Sequence, residues 1–274
     1  MLGLTSPLLS LVPGVSHRFF QRIGGTSPNP WRALNTSYDT SDAPARVDEN
    51  LARIRFQLGV PKDALYAVTQ VHGSAVVVVS GEEDPAELRS MKADALVTVA
   101  RDVAVGVRTA DCAPILLALD DGSAVAAVHA GWRGAVGGVV DSAVRELCTR
   151  AAASPARVVA AVGPCIGLDA FEVGPEVVSA AARALHVGDG DLGVLVKSGR
   201  DDRMHLDLAG LVLRVLAQCG VDRAERVGGC TVTEELAFYS HRRDVTLRKG
   251  SETGRQMSAI AITNPPDLDD ESLR

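Results

Sequence analysis

Two histidines and one cysteine stand where apolar segments of the chain end. His72 follows "LYAVTQV", His129 follows "SAVAAV" and precedes a glycine-rich turn, and Cys112 lies in "RTADCAP". The end of a strand presents its side chains at the rim of a sheet, where side chains from neighbouring strands meet. Two imidazoles and one thiolate make a three-ligand zinc site whose fourth position stays open for water or substrate. Asp111 beside Cys112 is a candidate for orienting a ligand or for contacting substrate.

The same three residues also have an ordinary structural interpretation. A histidine at a strand end is commonly a packed or capping residue, and a single intracellular cysteine is commonly a small buried hydrophobe. The three residues are far apart in sequence and form no recognised short metal-binding motif. Their spacing therefore leaves both a zinc site and a structural role open.

Arg133 lies in the turn "GWRG", shortly after His129 and at the predicted start of a helix. Backbone N–H groups and the helix dipole favour anions at such a position, and a guanidinium adds charge-assisted hydrogen bonds. The alternatives are a phosphate or carboxylate site and a surface arginine beside a helix cap. Trp132 either packs against the core or stacks on a base.

A basic segment near the C-terminus contrasts with the otherwise acidic chain. The cationic residues of "FYSHRRDVTLRKGSETGR" are Arg242, Arg243, Arg248, Lys249 and Arg255. A run of charges of this kind is usually a solvated loop, and we interpret most of this segment in that way.

Composition and charge restrict the class of protein. The formal net charge of -6 and the pI near 5.5 argue against a nucleic-acid binder that relies on phosphate contacts. Five cysteines without a C-x-x-C pair indicate a reducing compartment rather than a disulfide framework. The first twenty residues lack a basic start and are not expected to be a signal peptide, and no apolar run reaches the roughly 18 residues of a membrane span. We expect a soluble cytoplasmic protein that binds neither nucleic acid nor membrane.

Several helices and many short strands are predicted to position these residues. Residues 24–44 are rich in Gly, Pro, Ser and Asn and predict a long irregular connection, whereas residues 45–60 have the apolar spacing of a helix that stops at Gly59. Short Val-rich segments between residues 65 and 131 predict strands, with a hairpin turn at residues 120–122. Further helices are predicted at 134–153, 174–185 and 206–220, and further strands at 157–167, 224–233 and 256–263.

This order of elements favours an α+β or mixed-sheet α/β architecture over regular βαβ winding. No composition shift marks a domain boundary, and no repeat period stands out. We predict a single domain over residues 1–274, with flexible ends at about 1–16 and 265–274.

Taken together, the motifs of the chain resemble those of a known family. "GGTS", "QVHG", "ADALVT", "RTADCAPILL", "VAAVHAGWRG", "GPCIG" and "SHRR" followed by "TGR" occur here in that family's order, over about residues 17–262. The family is that of the bacterial YfiH-type purine nucleoside phosphorylases, also described as laccase-domain or multicopper polyphenol oxidase proteins. The resemblance implies a four-layer α/β/β/α fold with mixed sheets. It also implies a zinc site formed by His72, Cys112 and His129, with copper as the alternative metal.

The resemblance implies an activity as well. Members of this family catalyse the phosphorolysis of adenosine, inosine and 5'-methylthioadenosine, so a purine nucleoside and phosphate are the expected partners, and adenosine deamination is a further reaction. The expected catalytic residues are Cys112, His129 and Arg133, and the expected substrate contacts are Arg133, Asn35 and Asp111. The chain departs from the family pattern at His241, where a tyrosine is common, and at Leu51, where an arginine is common.

Two other enzyme classes use the same residues. A multicopper oxidase needs several coppers bound by clustered histidines, and the six scattered histidines of this chain contain no His-x-His pair, which leaves at most copper oxidation at a single site. Cys112 acting as a nucleophile, with His129 or His72 as its base, makes a cysteine-histidine hydrolase of an amide bond. A non-catalytic binding module is disfavoured because it gives no reason to gather metal ligands beside an arginine.

Overall fold

Two large β-sheets, one small β-sheet and a set of helices make up the computed structural model, which describes residues 3–263. The α-helices are α1 (Pro44–Leu58), α2 (Pro85–Leu88), α3 (Trp132–Val136), α4 (Val139–Arg150), α5 (Pro175–Ala184) and α6 (Leu208–Gln218). The strands are β1 (Gly3–Leu4), β2 (Val15–Phe20), β3 (Leu65–Tyr66), β4 (Val76–Val79), β5 (Ala95–Thr98), β6 (Val103–Thr109), β7 (Ala113–Leu119), β8 (Val125–Ala130), β9 (Val158–Val162), β10 (Glu172–Val173), β11 (Val196–Ser198), β12 (Met204–Leu206), β13 (Arg223–Arg226) and β14 (Gln256–Ile262).

Both large sheets are mixed. The first has the order β1-β2-β14-β6-β3, in which only the β3–β6 pair is parallel. The second has the order β13-β9-β7-β8-β5-β4, with parallel pairs at its two edges and antiparallel pairs between them. Strands β10, β12 and β11 form a small antiparallel sheet. The prediction of a single α/β domain with mixed sheets is confirmed.

Three hydrophobic clusters show what each sheet packs against. One cluster lies between the two large sheets and joins side chains from both, such as Val105 and Leu116. On its other face the first sheet packs against α1 through Ile54, and the second sheet packs against α4, α5 and α6. In β7, Ile115 and Leu117 face these helices while Leu116 faces the first sheet. Because successive strand residues point to opposite faces, a strand covered on both sides is an unbroken apolar run.

The structure confirms the predicted end of one helix and divides another predicted helix into two. Helix α1 stops as predicted, with Gly59 in the left-handed conformation at φ 72°. The helix predicted over 134–153 is wrong as one element, because α3 ends at Val136 and α4 begins at Val139. Gly138 between them has φ 89°, a conformation that glycine adopts readily and that interrupts a helix.

Residues 3–16 are part of the fold, which corrects the expectation of a flexible end at 1–16. Strand β1 pairs with β2, and Leu9 and Val12 are buried in the cluster between the sheets. Burial of these apolar side chains holds the segment in place. The other expected flexible end, 265–274, lies outside the described residues. None of the helices in the described part of the chain is both long and apolar enough to cross a bilayer.

Candidate active site

His72, Cys112 and His129 come together beside the end of β8. His129 lies on β8, Cys112 lies in the turn between β6 and β7, and His72 lies in the segment between β3 and β4. Their ligand atoms all lie within 4.8 Å of one another, and Cys112 Sγ is 3.7 Å from His72 Nε2. The two imidazole rings meet edge to face, with centroids 4.8 Å apart. The structure therefore gathers the three predicted metal ligands.

His72 does not end a strand, which corrects the expectation from sequence. Strand β3 stops at Tyr66, and His72 has a φ of 60° in an irregular segment. The Gln70 side chain donates to Arg108 O at 2.8 Å and accepts from Arg108 N at 2.7 Å. The Gln70 side chain thus forms the hydrogen bonds to β6 that the backbone of a longer β3 would form. The backbone is therefore free to turn and bring His72 to Cys112.

Asp94 orients two of the three residues from a fully buried position. Its Oδ1 lies 2.8 Å from His129 Nδ1, which leaves Nε2 of that ring available as a ligand atom. The same carboxylate accepts the backbone N–H groups of Val71, His72 and Gly73 at 3.3, 2.9 and 2.6 Å. Carboxylates placed in this way fix the tautomer and orientation of metal-binding imidazoles. Asp94 is not among the site residues predicted from the sequence, although its signal is visible in "ADALVT", where a carboxylate precedes an apolar strand.

Gly131 allows the ligand-bearing segments to approach each other. A Cβ atom at this position would lie 2.8 Å from His72 Cδ2 and 3.1 Å from Cys112 Sγ. Both distances are shorter than ordinary van der Waals contacts, so any larger residue here would displace two of the three ligand side chains.

Burial and charge act in opposite directions on the Cys112 thiol. Burial raises its pKa, but the charge of His129 and hydrogen bonds with His129 and His72 lower the pKa to about 6. For His129, burial lowers the pKa, whereas the Cys112 thiolate and the Asp94 carboxylate raise it to about 9. Without a metal, the thiolate is therefore favoured near neutral pH, and the thiolate is the form of cysteine that binds metals and acts as a nucleophile.

The donor set fits a catalytic metal site. Two imidazole nitrogens and one thiolate suit zinc with an open fourth position, and they suit copper as well. The orientation of His129 by Asp94 supplies the outer-shell hydrogen bond that metal-ligating histidines usually make. Within residues 3–263 this is the only group of three or more His, Cys, Asp or Glu side chains so placed. The described part of the chain thus offers one site, fewer than a multicopper centre requires.

The three ligand residues form part of the wall of a cavity of about 460 Å³. This volume is within the range of sites that bind small molecules. The wall combines apolar and cationic side chains. Its aromatic surface comes from Trp132 and Phe171, and its aliphatic surface comes from Ile166 and Leu208. The cationic residues of the wall are Arg108, Arg133, Arg242 and Arg255.

Arg133 lines this cavity but is exposed, and its guanidinium lies 4.4 Å from the ring centroid of Trp132. It belongs to α3, which has only five residues and ends before α4 begins, so Arg133 does not lie at the start of the long helix. Trp132 is half-buried and packs against the helix-side cluster while also lining the cavity. The structure brings both residues to the site and leaves the anion contact of Arg133 a prediction.

Asp111 lines the cavity, but other protein groups already bond its carboxylate. Oδ1 accepts from Thr231 Oγ1 at 2.6 Å, and Oδ2 accepts from Arg242 N at 2.6 Å. It has no hydrogen bond with any of the three ligand residues in the described structure, so the orienting role belongs to Asp94 instead. The proposed contact of Asp111 with substrate remains a prediction.

Asn35 is fully buried and does not line the cavity, so a direct contact with substrate does not follow from its position. Its Oδ1 accepts from Arg255 N at 3.0 Å and from Ser37 N at 3.2 Å, and its Nδ2 donates to Asp42 Oδ2 at 3.0 Å. Because Ser37 and Arg255 both line the cavity, Asn35 holds two parts of the wall in place from behind.

The C-terminal basic segment is only partly a solvated loop. Arg248 and Lys249 are exposed as expected. Arg243 is 5% exposed and donates to Thr231 O and Phe238 O, and Arg242 and Arg255 line the cavity. Charge in a sequence does not reveal which arginines tertiary contacts will bury. Of the two departures from the family pattern, His241 lines the cavity, whereas Leu51 lies on α1 in a separate depression.

Comparison with known proteins identifies the family. Residues 16–263 match the family described as multi-copper polyphenol oxidoreductase laccase. The chain belongs to this family. It is 37% identical to a purine nucleoside phosphorylase of Deinococcus radiodurans, over 94% of this chain and 95% of that protein. It is 35% identical to adenosine deaminase RL5 from an unknown prokaryotic organism, over 85% of this chain and 88% of that protein.

The fold of this laccase-family chain also matches a solved structure. The crystal structure of protein NMB0706 from Neisseria meningitidis has a TM-score of 0.81 and 31% sequence identity, and the match covers 96% of this chain and 100% of that one. The family resemblance predicted from the motifs is confirmed.

Proposed function

We propose that this chain is a zinc-dependent purine nucleoside phosphorylase that acts on adenosine, inosine and 5'-methylthioadenosine with phosphate, and that deaminates adenosine as a second reaction. The observation that carries the proposal is the convergence of His72, Cys112 and His129 on the wall of a cavity of about 460 Å³. The names of two relatives, a purine nucleoside phosphorylase and an adenosine deaminase, support the two reactions.

His72, Cys112 and His129 would hold the zinc ion, with copper as the alternative metal, and Asp94 would keep His129 in the ligating orientation. When bound, zinc supplies a Lewis acid that polarises substrate oxygens and makes water nucleophilic near neutral pH. The donor atoms and the buried carboxylate support this assignment.

The other tasks fall to side chains of the cavity wall. Phosphorolysis forms a bond between a phosphate oxygen and ribose C1' while the bond from C1' to the purine nitrogen breaks, and the electron pair leaves with the base. The aromatic surface of Trp132 and Phe171 suits a purine ring. Cationic side chains such as Arg133 suit phosphate, and they hold it close to the positive charge that develops on the ribose.

Purified protein tests the proposal directly. Zinc per chain is measured by metal analysis, and adenosine is incubated with the protein in phosphate buffer and in phosphate-free buffer. We expect adenine and ribose 1-phosphate only with phosphate, and inosine in both buffers. In Cys112→Ala we expect the loss of zinc and of all three products. Cys219→Ala removes a half-buried thiol outside the cavity wall and serves as the matched control. Zinc-replete protein that releases no adenine in phosphate buffer contradicts the proposal, and so do several coppers per chain.

A cysteine-histidine hydrolase of an amide bond is the second candidate. It is favoured by the His129 charge beside the Cys112 thiol, which opposes the effect of burial and lowers the pKa of that thiol to about 6. The two candidates differ in the state of the thiol, because a metal ligand is protected from alkylation and a nucleophile is not.

A reducing compartment such as the cytoplasm is proposed for this enzyme. All five cysteines lie within the described residues and none forms a disulfide. Unpaired cysteines are typical of proteins kept under reducing conditions.

A further inference from the structure

Arg108 and Arg255 both line the cavity, and neither forms an ion pair within the described residues. Arg108 is 7% exposed, and its Nη2 donates to Val68 O at 2.7 Å. Arg255 Nη1 donates to Thr253 O and Gly254 O at 3.0 and 3.1 Å. These carbonyl oxygens fix the direction of each guanidinium without neutralising its charge. Within residues 3–263, Nε and Nη1 of Arg108 and Nε and Nη2 of Arg255 have no hydrogen-bond partner.

The two guanidinium groups are close enough to affect each other. Burial lowers the pKa of both, and the charge of Arg255 lowers that of Arg108 further. Asp39 raises both pKa values, yet this carboxylate forms no ion pair with either arginine in the described structure. A buried cation beside a partly buried one, without a paired carboxylate, is unfavourable unless an anion joins them.

Thr109 is a second, independent feature of the wall of the same cavity. It follows Arg108 in β6, lines the cavity and is 2% exposed. Its Oγ1 is buried and has no hydrogen-bond partner among the described residues. Buried hydroxyl groups in folded proteins are normally hydrogen-bonded, so this one calls for a partner that the protein itself does not supply.

We infer that Arg108, Arg255 and Thr109 form the binding site for inorganic phosphate. A tetrahedral oxyanion offers several acceptor oxygens, which match two guanidinium groups and one hydroxyl. This site adjoins the metal-ligand group, because Arg255, Cys112 and His129 line the same cavity. The inference rests on the proposed function, in which phosphate is the co-substrate. The family resemblance implies a phosphate contact for Arg133, which is exposed. Our inference assigns that contact to Arg108, Arg255 and Thr109 instead.

Arg255 and Thr109 are the residues to change, because Arg108 also borders a second depression. Phosphorolysis of adenosine is measured over a range of phosphate concentrations for the wild type, Arg255→Gln and Thr109→Val. The KM for phosphate is expected to rise roughly 10- to 100-fold in Arg255→Gln and about 10-fold in Thr109→Val, because each loses a hydrogen bond to a charged group. The KM for adenosine is expected to change less than about threefold in both.

Thermal melting separates this effect from unfolding. Thr109→Val removes a buried hydroxyl that has no protein partner and keeps the branched shape, so its melting temperature is expected to equal or exceed that of the wild type. A surface control is Arg157→Gln, whose arginine pairs with Asp120 and Asp121 and whose phosphate KM is expected to stay at the wild-type value.

Arg133→Gln is the variant that decides whether phosphate binds at Arg255 and Thr109 or at Arg133. An unchanged phosphate KM in Arg255→Gln and Thr109→Val, with a raised one in Arg133→Gln, overturns the assignment. Calorimetric titration of inorganic phosphate into the wild type and Arg255→Gln makes the test independent of turnover. If the wild type has no phosphorolysis, the proposed function fails. Even then, phosphate binding to the wild type that is lost in Arg255→Gln supports the site. Equal binding to the two proteins, or no binding to the wild type, overturns it.

Discussion

His129 Nδ1 lies 2.8 Å from Asp94 Oδ1, and the same carboxylate accepts His72 N at 2.9 Å. One buried carboxylate therefore fixes the ring of one metal-ligand residue and the backbone of another, although the two lie far apart in the sequence. The Cys112 thiol approaches the pair from a third segment. The group is held in a ligating arrangement by the protein itself, as precise metal sites require.

Replacing Asp94 by asparagine tests this relationship. Asp94→Asn keeps the size of the side chain but removes the charge that orients His129, so zinc affinity is expected to fall about 10- to 100-fold. Competition with a chromogenic chelator measures the change. Asp111→Asn is the matched control, since the Asp111 carboxylate bonds Thr231 and Arg242 instead, and its zinc affinity is expected to stay within about threefold of the wild type. Equal losses in the two variants would contradict the role of Asp94.

Metal-free protein is expected to be alkylated at Cys112 well below the pH at which ordinary thiols react. Burial raises the pKa of this thiol, but His129 and His72 lower it to about 6, so the thiolate fraction falls as the pH drops through about 6. The iodoacetamide rate at Cys112, followed by mass spectrometry, should show a midpoint near that pH, and zinc should protect the thiol. Rapid alkylation of zinc-saturated protein would favour the hydrolase over the phosphorylase.

Much of the fold and two of the three ligand residues, Cys112 and His129, follow from local sequence patterns. Ile115, Leu116 and Leu117 form an unbroken apolar run because β7 is covered on both faces, and such runs are recognisable without a structure. Gly59 ends α1 by its own conformational freedom. Cys112 and His129 can also be recognised from the sequence as candidate ligands, because each is a polar residue at the end of an apolar segment.

The positioning residues are not visible in this way, because tertiary contacts define them. Asp94 acts through hydrogen bonds to two distant segments, and Asn35 acts through the backbone of Arg255. From its sequence, the basic C-terminal segment is predicted to be a solvated loop. Charge patterns do not indicate which arginine side chains a cavity encloses. His72 shows the same effect, since side-chain bonds of Gln70 end the regular pairing of β3 with β6.

A methyl group at position 131 is expected to disrupt the metal site and leave the fold intact. In Gly131→Ala the Cβ would press on His72 Cδ2 and Cys112 Sγ, which lie 2.8 and 3.1 Å from its position. Displacing ligand side chains by a fraction of an ångström is expected to lower kcat/KM about 100-fold and to reduce bound zinc. Gly190→Ala is the control, because no atom lies within 4 Å of its Cβ position. Wild-type zinc content in Gly131→Ala would show that the site tolerates the added volume.

His17 is expected to make the protein less stable as the pH falls from about 6.5 to 4. It is 6% exposed, its Nε2 accepts from Ser6 N at 2.8 Å, and burial, assisted by Arg18, lowers its pKa to about 4. Between these pH values the unfolded chain binds a proton that the folded chain does not, so the free energy of unfolding decreases by up to about 3 kcal/mol. His17→Gln keeps an acceptor near Ser6 but does not titrate, so its stability should depend less steeply on pH across this window. Urea denaturation of both proteins in EDTA at several pH values measures the difference, and identical slopes would show that the His17 pKa is not lowered by folding.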